Sequence, residues 1–209
     1  FDDRLNHQAE VNDLNLSLIR GFLQDVESNL FEDSDNMSLP DIAKQMAVVK
    51  GGAEALRPVN VGLMFFNPTP EKFFQRAWIE VVIRMDEAGK GFSEKYFKGP
   101  LHVQLIEALQ YIRTQIIEEH VRKVDGEAEA VRYYNYPYEA IEEALANAVY
   151  HKSYEMAKPI EVQIWPESIE ILSFPGPVPP VDADILASNR RIVARDYRNR
   201  RVGDFLKDL

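Results

Sequence analysis

The chain of 209 residues contains no cysteine, which excludes disulfides, thiolate zinc sites and a cysteine nucleophile. Positive charge is in deficit. Against 24 Lys and Arg stand 34 Asp and Glu, a net charge of −10, which argues against general nucleic-acid binding by these residues. No apolar run reaches the ~20 residues that span a bilayer, and the start lacks the basic-then-apolar pattern of a secretion signal. No membrane association is expected, and a cytoplasmic location is the default reading. The four histidines, His7, His102, His120 and His151, show no HExxH-type pairing. Gly89-Lys90-Gly91 lacks the spacing and the following Ser or Thr of a phosphate-cradling loop, so a P-loop helicase motor finds no support. What is present is a hydrophobic content of 45%, enough to bury a core in one large or two small domains.

Periodicity organises the first part of the chain. Leu16, Ile19, Leu23, Val26 and Leu30 recur at alternating three- and four-residue steps, which predicts an amphipathic helix near 12–30, weakened at Gly21. Ser38 is placed to cap, and Pro40 to start, a second helix near 39–49. The apolar runs 61–66 (VGLMFF) and 77–84 (AWIEVVIR) read as buried strands separated by the turn residues Asn67-Pro68-Thr69-Pro70. Leu105, Leu109, Ile112, Ile116 and His120 mark one face of a long helix near 100–122, with His120 read as a packed or capping residue. The polar stretch 123–130 (KVDGEAEA) breaks this pattern and serves as the internal boundary, dividing a mixed α/β region, 1–128, from a second unit, 129–209.

The second unit is the more informative. Its order is short strand, helix, hairpin, loop and basic helix. Strands covered on one side by helices give an α+β, two-layer α/β sandwich. In the hairpin, Ile160, Val162 and Ile164 alternate with Glu161 and Gln163, and Pro166-Glu167-Ser168 turns the chain. In the helix, Pro137 suits the first turn, while Ile141, Ala144, Leu145, Ala148 and Val149 form an apolar seam. At 100° per residue, Glu139, Glu143, Asn147 and His151 line up on the opposite side. Such a stripe meets either water or a ligand.

The pattern Glu143-x-x-x-Asn147-Ala148 within a helix, followed by His151-x-x-Tyr154 and a two-strand pattern, resembles the N box of the GHKL (Bergerat-fold) ATPases, the superfamily of gyrase, histidine kinases and MutL. The flanks narrow this further. PYEAIEEALANAVYHKSY with PIEVQIWPESIEILSFPGPVPP, and the upstream FDDRLNHQAEVNDLNLSLIRGFL, GLMFFNPTPEKFFQRAWIEVVI and FKGPLHVQLIEALQYIRTQI, are similar to the divergent GHKL-type module of bacterial transcriptional regulators and RecG-related proteins. The resemblance runs along nearly the whole chain. It implies an ATP-binding module that uses Mg²⁺, with Asn147 as the Mg²⁺ ligand and Glu143 as the general base that orients and deprotonates water. It places Ser173 and Gly176 at the adenine and ribose, and His151, Lys152 and Arg198 toward the phosphates. Hard cations want oxygen donors, and a base must lie within about 3 Å of the water it activates. Relatives begin with a Schlafen/AlbA-like DNA-binding domain, so these residues read as an internal fragment whose DNA contact lies in that N-terminal domain. A homo-oligomer is compatible with this.

The sequence also departs from the family. Where relatives carry Asp-x-Gly-x-Gly, this chain has Ser173-Phe174-Pro175-Gly176-Pro177, so a neutral hydroxyl replaces the adenine-binding carboxylate and one glycine remains. The chain ends at Leu209, before the second glycine-rich box. The expectation is therefore a degenerate ATP-binding module, truncated at its C-terminus, with a non-catalytic dimerisation or signal-sensing scaffold as the alternative. Between Ser188 and Gly203, Arg190, Arg191, Arg195, Arg198, Arg200 and Arg201 face only Asp196, a local charge of +5 against −15 elsewhere. A phosphate-bearing partner and an arginine-rich solvated helix are both open for that window.

Overall fold

The computed structural model describes residues 1–86, 91–123, 130–179, 181–188 and 197–209. Helices α1 (Leu16–Asp25), α2 (Leu30–Asp33) and α3 (Leu39–Gln45) come first. Strands β1 (Val49–Lys50) and β2 (Arg57–Pro58) pair antiparallel, and α4 (Asn60–Phe66) follows directly. Then come β3 (Ile79–Arg84), β4 (Phe92–Phe97), α5 (Leu101–Gln115), β5 (Glu119–Arg122), β6 (Val131–Tyr134), α6 (Tyr138–His151), β7 (Ile160–Ile164), β8 (Ile169–Leu172), α7 (Ala183–Ala187) and α8 (Arg200–Lys207). The architecture is mixed α/β. No helix among the described residues is long and apolar enough to cross a membrane.

The central sheet has the order β4-β3-β7-β8, antiparallel except for the parallel pair β3 and β7. It draws two strands from before 128 and two from after it, so the two segments separated by KVDGEAEA share one sheet. Residues 124–129 of that boundary, and Gly89-Lys90, lie outside the described residues. One sheet face presents Ile79, Val81, Ile160, Val162 and Ile164, all buried. Helix α5 lies against β3 and β4, α6 against β8, and the two helices against each other. The alternation Ile-Glu-Val-Gln-Ile of β7 is read out as a buried–intermediate pattern, as period-two geometry requires.

Four expectations need correction. The run 61–66 is not a strand but α4, whose seven residues are all buried. A helix enclosed on every side is apolar all round, so its sequence shows no period to distinguish it from a buried strand. Gly62 permits this placement, because a Cβ there would sit 2.8 Å from the Val48 carbonyl oxygen. The helix expected near 12–30 ends at Asp25; Glu27, at φ +51°, breaks it before α2. Asn15 starts it, accepting from the N–H groups of Ser17 and Leu18. The helix near 39–49 is capped by Ser38 as expected but stops at Gln45, with Ala47 at φ +53°. Finally, α5 stops at Gln115, and His120 is neither packed on it nor a cap. It lies in β5, exposed, with its ring stacked on Tyr133 at 5.4 Å.

Candidate functional site

Helix α6 buries Ile141, Leu145, Ala148 and Val149 and leaves Glu143 exposed and Asn147 half-buried. One turn apart, the two polar side chains meet: Asn147 Nδ2 donates to Glu143 Oε1 at 3.1 Å. That bond uses a donor of the amide and leaves its oxygen as the remaining acceptor. Burial, with the Glu143 carboxylate as second cause, raises the pKa of neighbouring Tyr150.

The other residues expected at the site gather at the C-terminal end of the same helix, where carbonyls lose their intrahelical partners. Each carbonyl from Ala148 to Lys152 finds a specific donor. Ala148 O accepts from Lys152 N and from Ser173 Oγ, both at 3.0 Å. Val149 O accepts from the Tyr154 hydroxyl at 3.2 Å. Tyr150 O accepts from Asn199 Nδ2 at 3.0 Å, and His151 O from Arg198 Nε at 2.8 Å. Lys152 O accepts from Asn199 Nδ2 at 2.7 Å. Arg198 Nη2 also donates to Gly176 O at 3.1 Å, which ties the Phe174–Gly176 loop to the helix end. Gly176 has φ +109°, a backbone state open to glycine and costly for other residues.

Lys152 is 2% exposed and donates to the Ser153 and Met156 carbonyls at 3.2 and 3.4 Å. Burial lowers its pKa to about 8, so it remains mostly protonated near neutral pH. His151 is held below its ordinary pKa, first by burial and then by the Arg198 guanidinium, and its ring stacks on Tyr197 at 5.7 Å.

Thus one site contains Glu143 and Asn147, and a separate polar latch contains Ser173, Gly176, Arg198, His151 and Lys152. Ser173 joins the two by bonding to the residue after Asn147. A cleft of about 530 Å³ beside α6 lies at its other end, lined by Arg113, Ile117, Tyr134, Pro137, Tyr138 and Glu139. Neither Glu143 nor Asn147 borders it. Among the described residues, no group of three or more His, Asp or Glu could hold a metal ion.

The latch continues into α8 through residues whose part in it the sequence left unmarked. Asp2 Oδ2 accepts from the N–H groups of Arg201 and Val202 at 2.7 and 3.1 Å, capping α8 from the opposite end of the chain. Arg201 pairs with Asp3 at 2.8 Å, and Phe205 packs among Phe22, Phe65 and Phe66. Of the arginine cluster, Arg198 and Arg201 are therefore committed internally and Arg200 is exposed. Arg190, Arg191 and Arg195 lie outside the described residues. The local signal for the latch was Arg198-Asn199 immediately before an amphipathic helix; nothing in the sequence near Asp2 reveals its partner.

No known protein family matches the chain, and no curated protein does. Among solved structures, the DIP2311 protein from Corynebacterium diphtheriae is similar, with a TM-score of 0.64 and 18% identity. The likeness covers all of this chain and 39% of that one. At that identity it carries the fold alone.

Proposed function

We propose that residues 129–209 belong to a degenerate GHKL-type module, preceded by the linking α/β region 1–128, that binds Mg-ATP in a bacterial DNA-associated regulator or RecG-related protein. The observation that carries this reading is the Glu143–Asn147 pair, joined at 3.1 Å on the polar face of α6. Bound Mg²⁺ would neutralise charge on the nucleotide phosphates. Asn147 would hold it through the amide oxygen, and Glu143 would orient and deprotonate water. The cation side therefore fits the residues present. The adenine side fits less well: Ser173 donates its hydrogen to Ala148 O, leaving its lone pairs for an adenine amino group. The phosphate side fits least, because Lys152 and Arg198 each already direct two N–H groups to carbonyls.

That last observation favours a second reading, a non-catalytic scaffold of the same architecture for dimerisation or signal sensing. In both readings DNA contact belongs to a domain outside 1–209. The two are separated by calorimetry with Mg-ATP and by phosphate release on parent, Glu143→Ala and Asn147→Ala proteins. Loss of a general base costs roughly 10² to 10⁴ in rate with binding retained, whereas loss of a metal ligand weakens both. A parent protein that neither binds nor hydrolyses ATP establishes the scaffold reading instead.

A further inference from the structure

Strands β5 and β6 form a sheet of their own, and among the described residues they pair only with each other. All eight residues are exposed, including Val121, Val131, Tyr133 and Tyr134. An isolated two-stranded hairpin is marginal in water, and an open edge with apolar side chains is a template for another strand.

The backbone restricts how that edge can pair. Asn135 N–H donates to Glu118 O at 3.1 Å, so residues 118 and 135 are a hydrogen-bonded pair. Alternation then makes His120/Tyr133 and Arg122/Val131 the next such pairs. The amide and carbonyl groups of Glu119, Val121 and Lys123 consequently belong to the outer edge of β5. Two copies of this edge can pair antiparallel about a two-fold axis in only a few registers. Centred on Val121, the valine faces its own copy and Glu119 faces Lys123 of the second copy, twice. Centring on Glu119 opposes two carboxylates. Centring on His120 opposes two imidazoles and sets Glu119 against a valine. On the face that carries Val121, one register is therefore self-complementary in charge as well as in apolar contact, while on the other face it sets His120 against Arg122. The Glu119 carboxylate already accepts from Arg132, the cross-strand neighbour of Val121, at 3.3 Å, so in that register it is shared between Arg132 and Lys123 of the second copy.

From this geometry we infer that the β5 edge is a homodimerisation surface that joins two hairpins into a four-stranded antiparallel sheet centred on Val121. Its occupant is a second copy of this chain. The inference stands apart from the nucleotide reading, since none of its residues is at the α6 site.

The test uses the 209-residue chain in sedimentation equilibrium, with circular dichroism to establish that each protein is folded. The parent is expected to dimerise at concentrations on the order of 100 µM, the range that a small interface calls for. Glu119→Lys sets Lys against Lys, and Lys123→Glu sets Glu against Glu. Each should weaken the dimer by about tenfold or more. Mixed together, the two variants should form a heterodimer of parental strength, because both cross-strand pairs become opposite in charge again. A monomeric parent, single variants that dimerise like the parent, or a mixture that fails to associate overturns the inference.

Discussion

Replacing Asn199 with alanine tests the latch at the end of α6. The side chain is fully buried, and its Nδ2 donates to Tyr150 O at 3.0 Å and to Lys152 O at 2.7 Å. Tyr150 O keeps a second donor, Asn199 N at 3.2 Å, so losing that bond removes only a net ~1 kcal/mol. Lys152 O has no other donor among the described hydrogen bonds, so it is left buried and unpaired, at about 1–3 kcal/mol. Against this, the mutation deletes Asn199 Oδ1, itself buried without a partner, which offsets part of the cost. The net expectation is a destabilisation of about 2–3 kcal/mol, or roughly 5–10 °C in Tm for a chain of this size. Urea unfolding followed by far-ultraviolet circular dichroism measures it, with an unchanged m-value marking the loss as one of the folded state. Asn199→Asp should be worse, since it replaces the donor with a carboxylate facing two carbonyls. A loss under about 0.5 kcal/mol for Asn199→Ala would refute the claim that these bonds hold α6 in place.

Other consequences follow from the same contacts. His102, stacked on Phe65 at 5.4 Å, has a pKa lowered by burial from 6.5 to about 4. Only the unfolded chain takes up this proton between those values. Stability should therefore fall as pH drops from 6.5 toward 4, by up to about 3 kcal/mol, and urea midpoints of a His102→Phe protein should lack that component. Asp2→Ala should cost about 1–2 kcal/mol by uncapping α8, measured by the same unfolding curves. Asp3→Ala, which removes exposed ion pairs to Lys50 and Arg201, should cost less than about 1 kcal/mol.

Elements with a clear period were legible in the sequence. The seam of α6, apart from Ala144, which is exposed, the alternation of β7 and the Ser38 cap each follow from residues a few positions apart, and the structure has all three. Where the deciding interaction is distant, the sequence was mute. The run VGLMFF becomes a helix because it is enclosed on every side, and α5 yields to β5 because residues 119–122 find their partners at 131–134. At the candidate site, the pairing of Glu143 with Asn147 follows from helical spacing. That Ser173, Lys152 and Arg198 attend to carbonyls does not, because it depends on where α8 and the Phe174–Gly176 loop lie.

The most direct measurement of the nucleotide-binding reading is a titration of ¹⁵N-labelled protein with Mg-ATP, following the side-chain amide of Asn147 by nuclear magnetic resonance. Saturable shifts of that amide and of backbone resonances around Glu143, dependent on Mg²⁺ and absent in Asn147→Ala, are predicted. An Asn147 amide that stays unperturbed at saturating Mg-ATP would contradict the account.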